Sequence, residues 1–360
     1  MSTLDIILIE MITLKEIASR SGVSIATVSN ILNGKSNVSD DTKQRILQII
    51  KDTGYKPNYM ARGLRAAKTH TIGLLIDDLT EFSSPLIVDG IMSYLEENNY
   101  KAILENLRFY SKWNRDCNNE DYKQAVFDAF QEFSAIKVDG IIYVAGHARK
   151  INIIPEQFHI PTIISYAFTD SKNISSLMID DFNGAREITE YLIDHGHSEI
   201  AVITGKPDNI HSIHRLEGYK DALKSHKIQY NEGLVLNGSW KSESGIECCK
   251  KLFESKKKFS AIFCFNDLMA VGVYKYLYRH QIKVGQDISV VGFDNRSIAD
   301  ELPPGLTTME IPLSDIGQES AKEIIRLINL DSPDEEFKKK ELYIKCNLIE
   351  RDSVCKRGNN

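Results

Sequence analysis

Seven short apolar runs punctuate the chain beyond residue 70, most of them separated from the next by an amphipathic stretch long enough to be a helix. The runs are Ile72–Ile76, Ala102–Leu104, Gly140–Val144, Thr162–Ile164, Ile200–Ile203, Ala261–Phe265 and Ile288–Gly292. The stretches include Pro85–Asn98, Glu120–Ile136, Phe182–His195, His214–His226, Ser244–Ser255 and Asp267–His280. A strand apolar at nearly every position has no face to give to water, so it must be covered on both sides, as a parallel strand between helices is. Seven such strands suit two doubly wound α/β lobes better than one sheet. The body then spans 71–357, with one lobe at about 71–165 and 306–330 and the other at about 166–300 and 340–355. Open α/β sheets bind ligands in the crevice outside the carboxyl ends of their strands, which puts a ligand site between the lobes.

The front of the chain has a different grammar. Thr13-Leu-Lys-Glu16 is a capping box opening a helix with Leu14, Ile17 and Ala18 on one face, and Gly22 ends it. Val23 staples the next start, Ser24 caps it, and Ile25–Asn33 turns Val28, Ile31 and Leu32 inward until Gly34. Ser39 caps a third helix with Ile46, Ile49 and Ile50 inward, stopped by Gly54 with Pro57 beyond. Residues 13–57 are thus a small all-α head, preceded by an extension at 1–12 and followed by a basic linker at 58–70. Two helices joined by a tight Gly-containing turn make a helix-turn-helix, whose second helix enters a major groove. The outward face of that helix offers Ile25, Ala26, Thr27, Ser29 and Asn30 and no acid, a set able to meet base edges and thymine methyls.

Charge supports this division of labour. The whole chain carries −6, yet residues 11–68 hold ten Lys/Arg against four acids, +6, leaving −12 on the other 302 residues. A cationic head on an acidic body binds phosphates while the body avoids them. With 42% hydrophobic and 26% charged residues, the chain is of globular composition. Six cysteines show no C-x-x-C spacing, and the apolar run Ile6–Ile9 is too short for a signal or membrane segment, so a reducing cytoplasm fits. His195 and His197, or His211 and His214, are the candidate metal ligands, but Gly196 reads as a helix terminator and no metal is expected. Without a G-x-G-x-x-G, Walker or G-x-S-x-G loop, neither a cofactor nor catalysis has a visible carrier.

The run from Thr13 to Gly34, continued by Val38-Ser39-x-x-Thr42 and Gly54-Tyr55-x-Pro57-Asn58-x-x-Ala61-Arg62-x-Leu64, resembles the signature of the LacI/GalR family of repressors. The resemblance extends over 71–355 through Ile72-Gly73-Leu74-Leu75, Val138-Asp139-Gly140, His195-Gly196-His197, Arg215-Leu216-x-Gly218-Tyr219, Phe265-Asn266-Asp267 and Val290-Val291-Gly292-Phe293-Asp294. It implies a periplasmic-binding-protein-like body and a head that reads an operator half-site through Ile25, Ala26 and Asn30. The wider set expected at the duplex is Thr13, Leu14, Ser24, Thr27, Ser29, Asn33, Asn37, Ser39, Thr42, Tyr55, Asn58, Ala61, Arg62, Leu64 and Arg65. The resemblance also implies that Asn58–Arg65 becomes a hinge helix on the operator, with Leu64 wedged into a central minor-groove step; Gly63 makes that helix marginal.

In the cleft the resemblance points to Arg215, Asn266 and Asp294, with Asp78, Phe82, Ser83, Tyr166 and Trp240 completing the expected set. A guanidinium fork, a carboxylate and a carboxamide suit a polyol, and an indole suits the apolar face of a sugar. Tyr166 stands where many relatives place an acid, and Glu81-Phe82-Ser83-Ser84 replaces an Asn-Pro-aromatic-aromatic run, so the ligand can differ from a simple pentose or hexose. A homodimer on a palindrome is expected, through the helices Pro85–Asn98 and Asp267–His280, whose Met269, Val273 and Tyr276 are either contact residues or lobe core. A rival reading keeps the DNA but replaces the small ligand with a phosphoprotein corepressor. An α/β enzyme or a secreted solute-binding protein would not need the first seventy residues.

Overall fold

The computed structural model describes residues 12–32, 38–55, 68–330 and 339–357, and the chain divides into a unit of residues 1–69 and one of residues 70–360. In the first unit, α1 (Leu14–Ser21) starts on its capping box, with Glu16 N–H donating to the Thr13 hydroxyl at 3.3 Å and Thr13 N–H to the Glu16 carboxylate at 2.9 Å. Gly22 ends it in the left-handed region at φ 66°, where a side chain is strained. Helix α2 (Ile25–Leu32) follows at once, and α3 (Asp40–Thr53) stops at Gly54. Ile17, Ala18, Val28, Ile31 and Ile46 are buried between the three helices. One expectation fails: the Ser39 hydroxyl caps no backbone N–H of α3 but meets the Thr42 hydroxyl at 3.0 Å. Asp40 and Asp41 supply the negative charge that a helix start favours.

The second unit holds two six-stranded sheets. The amino-terminal lobe is built from β1 (Thr71–Ile76), α4 (Ser83–Glu97), β2 (Lys101–Asn106), α5 (Phe109–Trp113), α6 (Glu120–Ile136), β3 (Gly140–Val144), β4 (Thr162–Ser165) and β5 (Ser175–Ile179). The chain then crosses to α7 (Asp181–Asp194), β6 (Ile200–Thr204), α8 (Ile210–Ser225), β7 (Val235–Asn237), α9 (Ser242–Glu254), β8 (Ala261–Cys264), α10 (Asp267–Arg279), β9 (Ser289–Asp294), α11 (Ser297–Glu301) and β10 (Thr307–Glu310). It returns with α12 (Leu313–Ile328) and β11 (Glu341–Ile344) and crosses once more into β12 (Asn347–Ile349). Strand order is β11-β5-β4-β3-β1-β2 in one sheet and β12-β10-β9-β8-β6-β7 in the other. Every pairing is parallel except β10 with β12.

These pairings correct the lobe boundaries expected from sequence. Residues 175–179 lie beside β4 with Ile163 opposite Ser175, and 341–344 lie beside β5, so both belong to the amino-terminal lobe. Residues 307–310 lie beside β9 and belong to the carboxy-terminal lobe. Three connections therefore pass between the lobes, near Asp180, Ile311 and Lys345.

Helices close on one another through paired glycines. A methyl on Gly90 of α4 would sit 2.1 Å from the Ser314 carbonyl oxygen, and one on Gly317 of α12 would sit 2.1 Å from that of Ile87. Gly245 and Gly272 make the same mutual approach between α9 and α10. On α10, Met269 and Val273 are fully buried and Tyr276 stacks on Phe253, so the stripe is lobe core rather than a contact surface. Among the described residues no helix is long and apolar enough to cross a membrane.

Candidate DNA interface and ligand cleft

In the head, burial of Val28 and Ile31 turns Ile25, Ala26 and Asn30 of α2 outward, where all three are exposed; Thr27 and Ser29 are half-buried. Ile25 is 42% exposed, unusual for a β-branched aliphatic in so small a core. Other expected contacts are partly engaged already. Thr27 N–H donates to the Ser24 hydroxyl at 3.1 Å, the two hydroxyls meet at 2.9 Å, and Thr13 serves the capping box. Leu14 and Tyr55 pack against the core, where burial pushes the Tyr55 hydroxyl pKa up. Lys15, Arg20, Lys43, Arg45 and Lys51 are exposed cations that sequence reading counted for charge without assigning them contacts. Asn33, Asn37, Asn58, Ala61, Arg62, Leu64 and Arg65, with the expected hinge helix, lie outside the described residues.

Arg215 organises the carboxy-terminal side of the cleft. Its Nε donates to Asp181 Oδ1 at 2.7 Å, an Nη1–H goes to the Phe265 carbonyl oxygen, and Asp294 lies 3.9 Å away. The guanidinium lies 3.6 Å over the Phe293 ring and 5.9 Å from the Trp240 ring. Asp181 also bonds His211 Nδ1 at 2.6 Å. Burial works against the Asp181 charge, but His211 and Arg215 outweigh it and hold the carboxyl below its ordinary range.

Asp294 ends β9 at φ 116°, a strained value for a side-chain-bearing residue and of the kind that clusters at binding sites. Burial raises its pKa although Arg215 and Arg296 lie close, and burial together with Asp294 pushes neighbouring Asp267 up to about 7. Arg296 Nε donates to Asp294 at 3.3 Å while its guanidinium lies 3.8 Å over the Phe82 ring of the other lobe. Phe82, Leu86 and Leu313 from one lobe and Leu268, Asp294 and Arg296 from the other line a cleft of about 470 Å³. Tyr166, at φ 65° after β4, is buried with its ring 5.6 Å from that of His211; burial and then the Asp294 charge raise its hydroxyl pKa.

The remaining expected residues also hold the protein's own backbone in place. Asn266 caps α10 by accepting from Met269 N–H at 2.9 Å, and its Nδ2 donates to the Trp240 carbonyl oxygen at 3.1 Å. The Trp240 indole covers Gly205 so closely that a methyl there would sit 1.9 Å from it. Asp78 accepts from the Thr80 hydroxyl at 2.7 Å and from Tyr110 N–H at 3.3 Å, and Ser83 donates to the Gly146 carbonyl oxygen at 3.0 Å. Sequence reading missed Asp181, Arg296 and the buried Asp77–Arg149 pair. It weighed His211 only as a metal ligand. A signal was present: Asp77, Asp181, Asp267 and Asp294 each stand at or within three residues of the end of a largely apolar strand. Among the described residues no cluster of His, Cys, Asp and Glu could hold a metal ion. His197 is bonded to Ser260 and the Cys355 carbonyl oxygen instead.

Comparison with known proteins matches residues 13–58 to the bacterial regulatory proteins of the lacI family and residues 189–354 to the periplasmic binding protein-like domain. The HTH-type transcriptional regulator AscG of Escherichia coli (strain K12) is 35% identical over 353 residues, covering 96% of this chain and 98% of that protein. The structure of a transcriptional regulator CelR–cellobiose complex has a TM-score of 0.64 at 25% identity, covering 95% of this chain and 99% of that one. The lac repressor dimer bound to operator and the anti-inducer ONPF shares the fold, with a TM-score of 0.77 at 24% identity over 96% of this chain and all of that one. A helix-turn-helix head on a body of two parallel-sheet lobes, without enzymatic relatives among these, places the chain in the LacI family of bacterial transcriptional regulators.

Proposed function

We propose that this chain is a cytoplasmic repressor that binds a palindromic operator as a homodimer and adjusts its grip when a small carbohydrate occupies the cleft between its lobes. The observation that carries the DNA half is the exposed, acid-free face of α2 on a separate unit: Ile25, Ala26 and Asn30 are free to meet bases because Val28 and Ile31 hold the helix down. One helix of this size reads about four base pairs, so useful specificity requires a second head on a twofold site. Residues 58–65 serve as the switchable link, folding on the operator with Leu64 as the minor-groove wedge.

The sensing half rests on the buried array of Arg215, Asp181, Asp294, Tyr166 and His211 on two lobes joined by three crossings, an arrangement whose closure depends on what lies between them. The cellobiose in the related complex supports a carbohydrate for this cleft. Coupling between cleft and head is then about 1–3 kcal/mol, a 5- to 150-fold change in operator affinity.

Selection of duplexes from a randomised library by the full-length protein tests the reading. A palindrome with two related half-sites is expected. Asn30→Ala should relax preference at one position of each half-site by about 1–3 kcal/mol. Leu64→Ala should weaken binding and bending without touching sugar affinity. Enrichment of no sequence, or an Asn30→Ala selection identical to wild type, would refute it.

A further inference from the structure

Two ring contacts between described residues pass from one lobe to the other: Tyr166 against His211, and the Arg296 guanidinium over Phe82. The first belongs to the buried array around Arg215, whereas the second meets that array only at Asp294. Phe82 immediately precedes α4 of the amino-terminal lobe, and Arg296 lies in the turn between β9 and α11 of the other.

The base of this arginine is fastened to its own lobe. Its backbone N–H donates to Asp267 Oδ2 at 2.7 Å. Preceding Asn295 donates from Nδ2 to Glu310 Oε1 at 3.0 Å and accepts from Arg351 Nη2 at 2.9 Å. The head of the side chain has no such hold. Nε makes one long bond, 3.3 Å to Asp294 Oδ2, and among the described residues Nη1 and Nη2 donate to no protein acceptor. A cation 27% exposed and so lightly tied is free to turn into water, yet it lies 3.8 Å over the Phe82 ring. A ring face attracts a cation within about 6 Å, so the opposite lobe is what fixes the arginine head.

Placement gives the contact a consequence. Ile311 and Leu313 line the same cavity as Phe82 and Arg296, which puts the contact beside the Ile311 crossing. Phe82 is half-buried, so a rotation that carries α4 away from α11 parts cation and ring while both lobe cores stay packed. Asp294 lies 3.9 Å from Arg215 and bonds Arg296, so a ligand that draws on Asp294 also changes the hold on Arg296.

We propose that Arg296 and Phe82 form a brace between the lobes that sets their angle in the absence of ligand, with Asp294 tying the brace to the cleft. This rests on the reading that lobe closure governs operator affinity, and it adds the contact that holds the ligand-free end of that equilibrium. The full-length protein with no ligand added tests it, through Arg296→Gln, Arg296→Lys, Phe82→Leu and the double variant Arg296→Gln/Phe82→Leu. Trp240 is half-buried beside Arg215, so acrylamide quenching of its fluorescence in a Trp113→Phe background reads opening of the cleft. Affinity for the selected palindrome reads the consequence. Arg296→Gln and Phe82→Leu should each raise quenching and shift ligand-free operator affinity about 2- to 30-fold in one common direction. The double variant should match the larger single, because both act through one contact. Arg296→Lys keeps a cation over the ring and should fall between wild type and Arg296→Gln. The two Arg296 variants change only a partly exposed head group and should keep the wild-type Tm, so they decide the matter should Phe82→Leu fold poorly. Wild-type quenching in Arg296→Gln, or a double variant equal to the product of its singles, overturns the brace alone. Raised quenching with unchanged operator affinity upholds the brace and overturns the reading that lobe angle governs DNA binding. If wild type selects no palindrome, that reading falls and quenching by itself decides the brace.

Discussion

Arg215→Ala is expected to destabilise the carboxy-terminal lobe rather than simply to blunt a ligand response. The Arg215 and Asp181 side chains are 2% and 0% exposed, so alanine leaves a dry carboxylate with only His211 upon it. It also strips a donor from the Phe265 carbonyl oxygen and a stacked cation from Phe293. Breaking one side of a buried ion pair costs about 3–5 kcal/mol. At about 2–4 °C of Tm per kcal/mol for a unit of this size, the transition should fall by on the order of 10 °C. Trp240 lies 5.9 Å from the guanidinium and Trp113 in the other lobe, so fluorescence in a Trp113→Phe background follows the affected lobe directly. The double variant Asp181→Asn/Arg215→Met should recover much of the loss, because it leaves no buried charge alone. An Arg215→Ala transition within about 2 °C of wild type on the scale above, or a double variant as unstable as the sum of its singles, would refute the argument.

Thr13→Ala removes the hydroxyl that accepts from Glu16 N–H, leaving the backbone half of the capping box, and should cost the head about 0.5–2 kcal/mol, read as faster amide exchange across 14–53 with the body unchanged. Gly218→Ala would set a methyl 2.1 Å from the Phe182 backbone carbonyl oxygen and force α7 and α8 apart, a cost of about 1–3 kcal/mol visible in urea unfolding. Asp267, raised to about 7 by burial and by Asp294, is protonated more readily folded than unfolded, where a carboxyl titrates near 3.9. Its contribution is therefore complete below about pH 4 and is lost as pH rises through about 7. Asp267→Asn should flatten the fall in stability between pH 5 and 8, and an unchanged pH profile would remove Asp267 from that account.

Much of the fold was legible because the residues that decide it act locally. The capping box at Thr13, the terminators Gly22 and Gly54, and runs such as Ile72–Ile76 each specify an element without help from distant chain. Other elements depend on neighbours. Strand β5 begins Ser175-Ser176, which reads as polar, yet both are buried because β4 and β11 flank it. Strands β7, β11 and β12 are three or four residues long at or near sheet edges, too short for periodicity to mark. The lobe boundaries were misplaced for the same reason: which sheet receives β10 is decided by pairing with β9, a contact that sequence spacing does not contain. In the cleft, Arg215 and Asp294 carried a recognisable pattern, whereas the placement of His211 arises from Asp181, thirty residues away, which is hydrogen-bonded to its Nδ1. Asn266 also serves a helix cap and the Trp240 backbone, a use that the sequence pattern did not show.

The central claim is that occupancy of the cleft and seating of paired heads are one linked equilibrium. Its most direct test is the affinity of the full-length protein for its selected palindrome, for a single half-site and for scrambled duplex, each with and without a saturating cleft ligand at fixed salt. The account predicts a palindrome bound far more tightly than either control, with the ligand shifting that affinity about 5- to 150-fold and leaving scrambled duplex unmoved. Equal affinity for palindrome and scrambled duplex, or a palindrome affinity indifferent to a ligand that demonstrably binds, would contradict it.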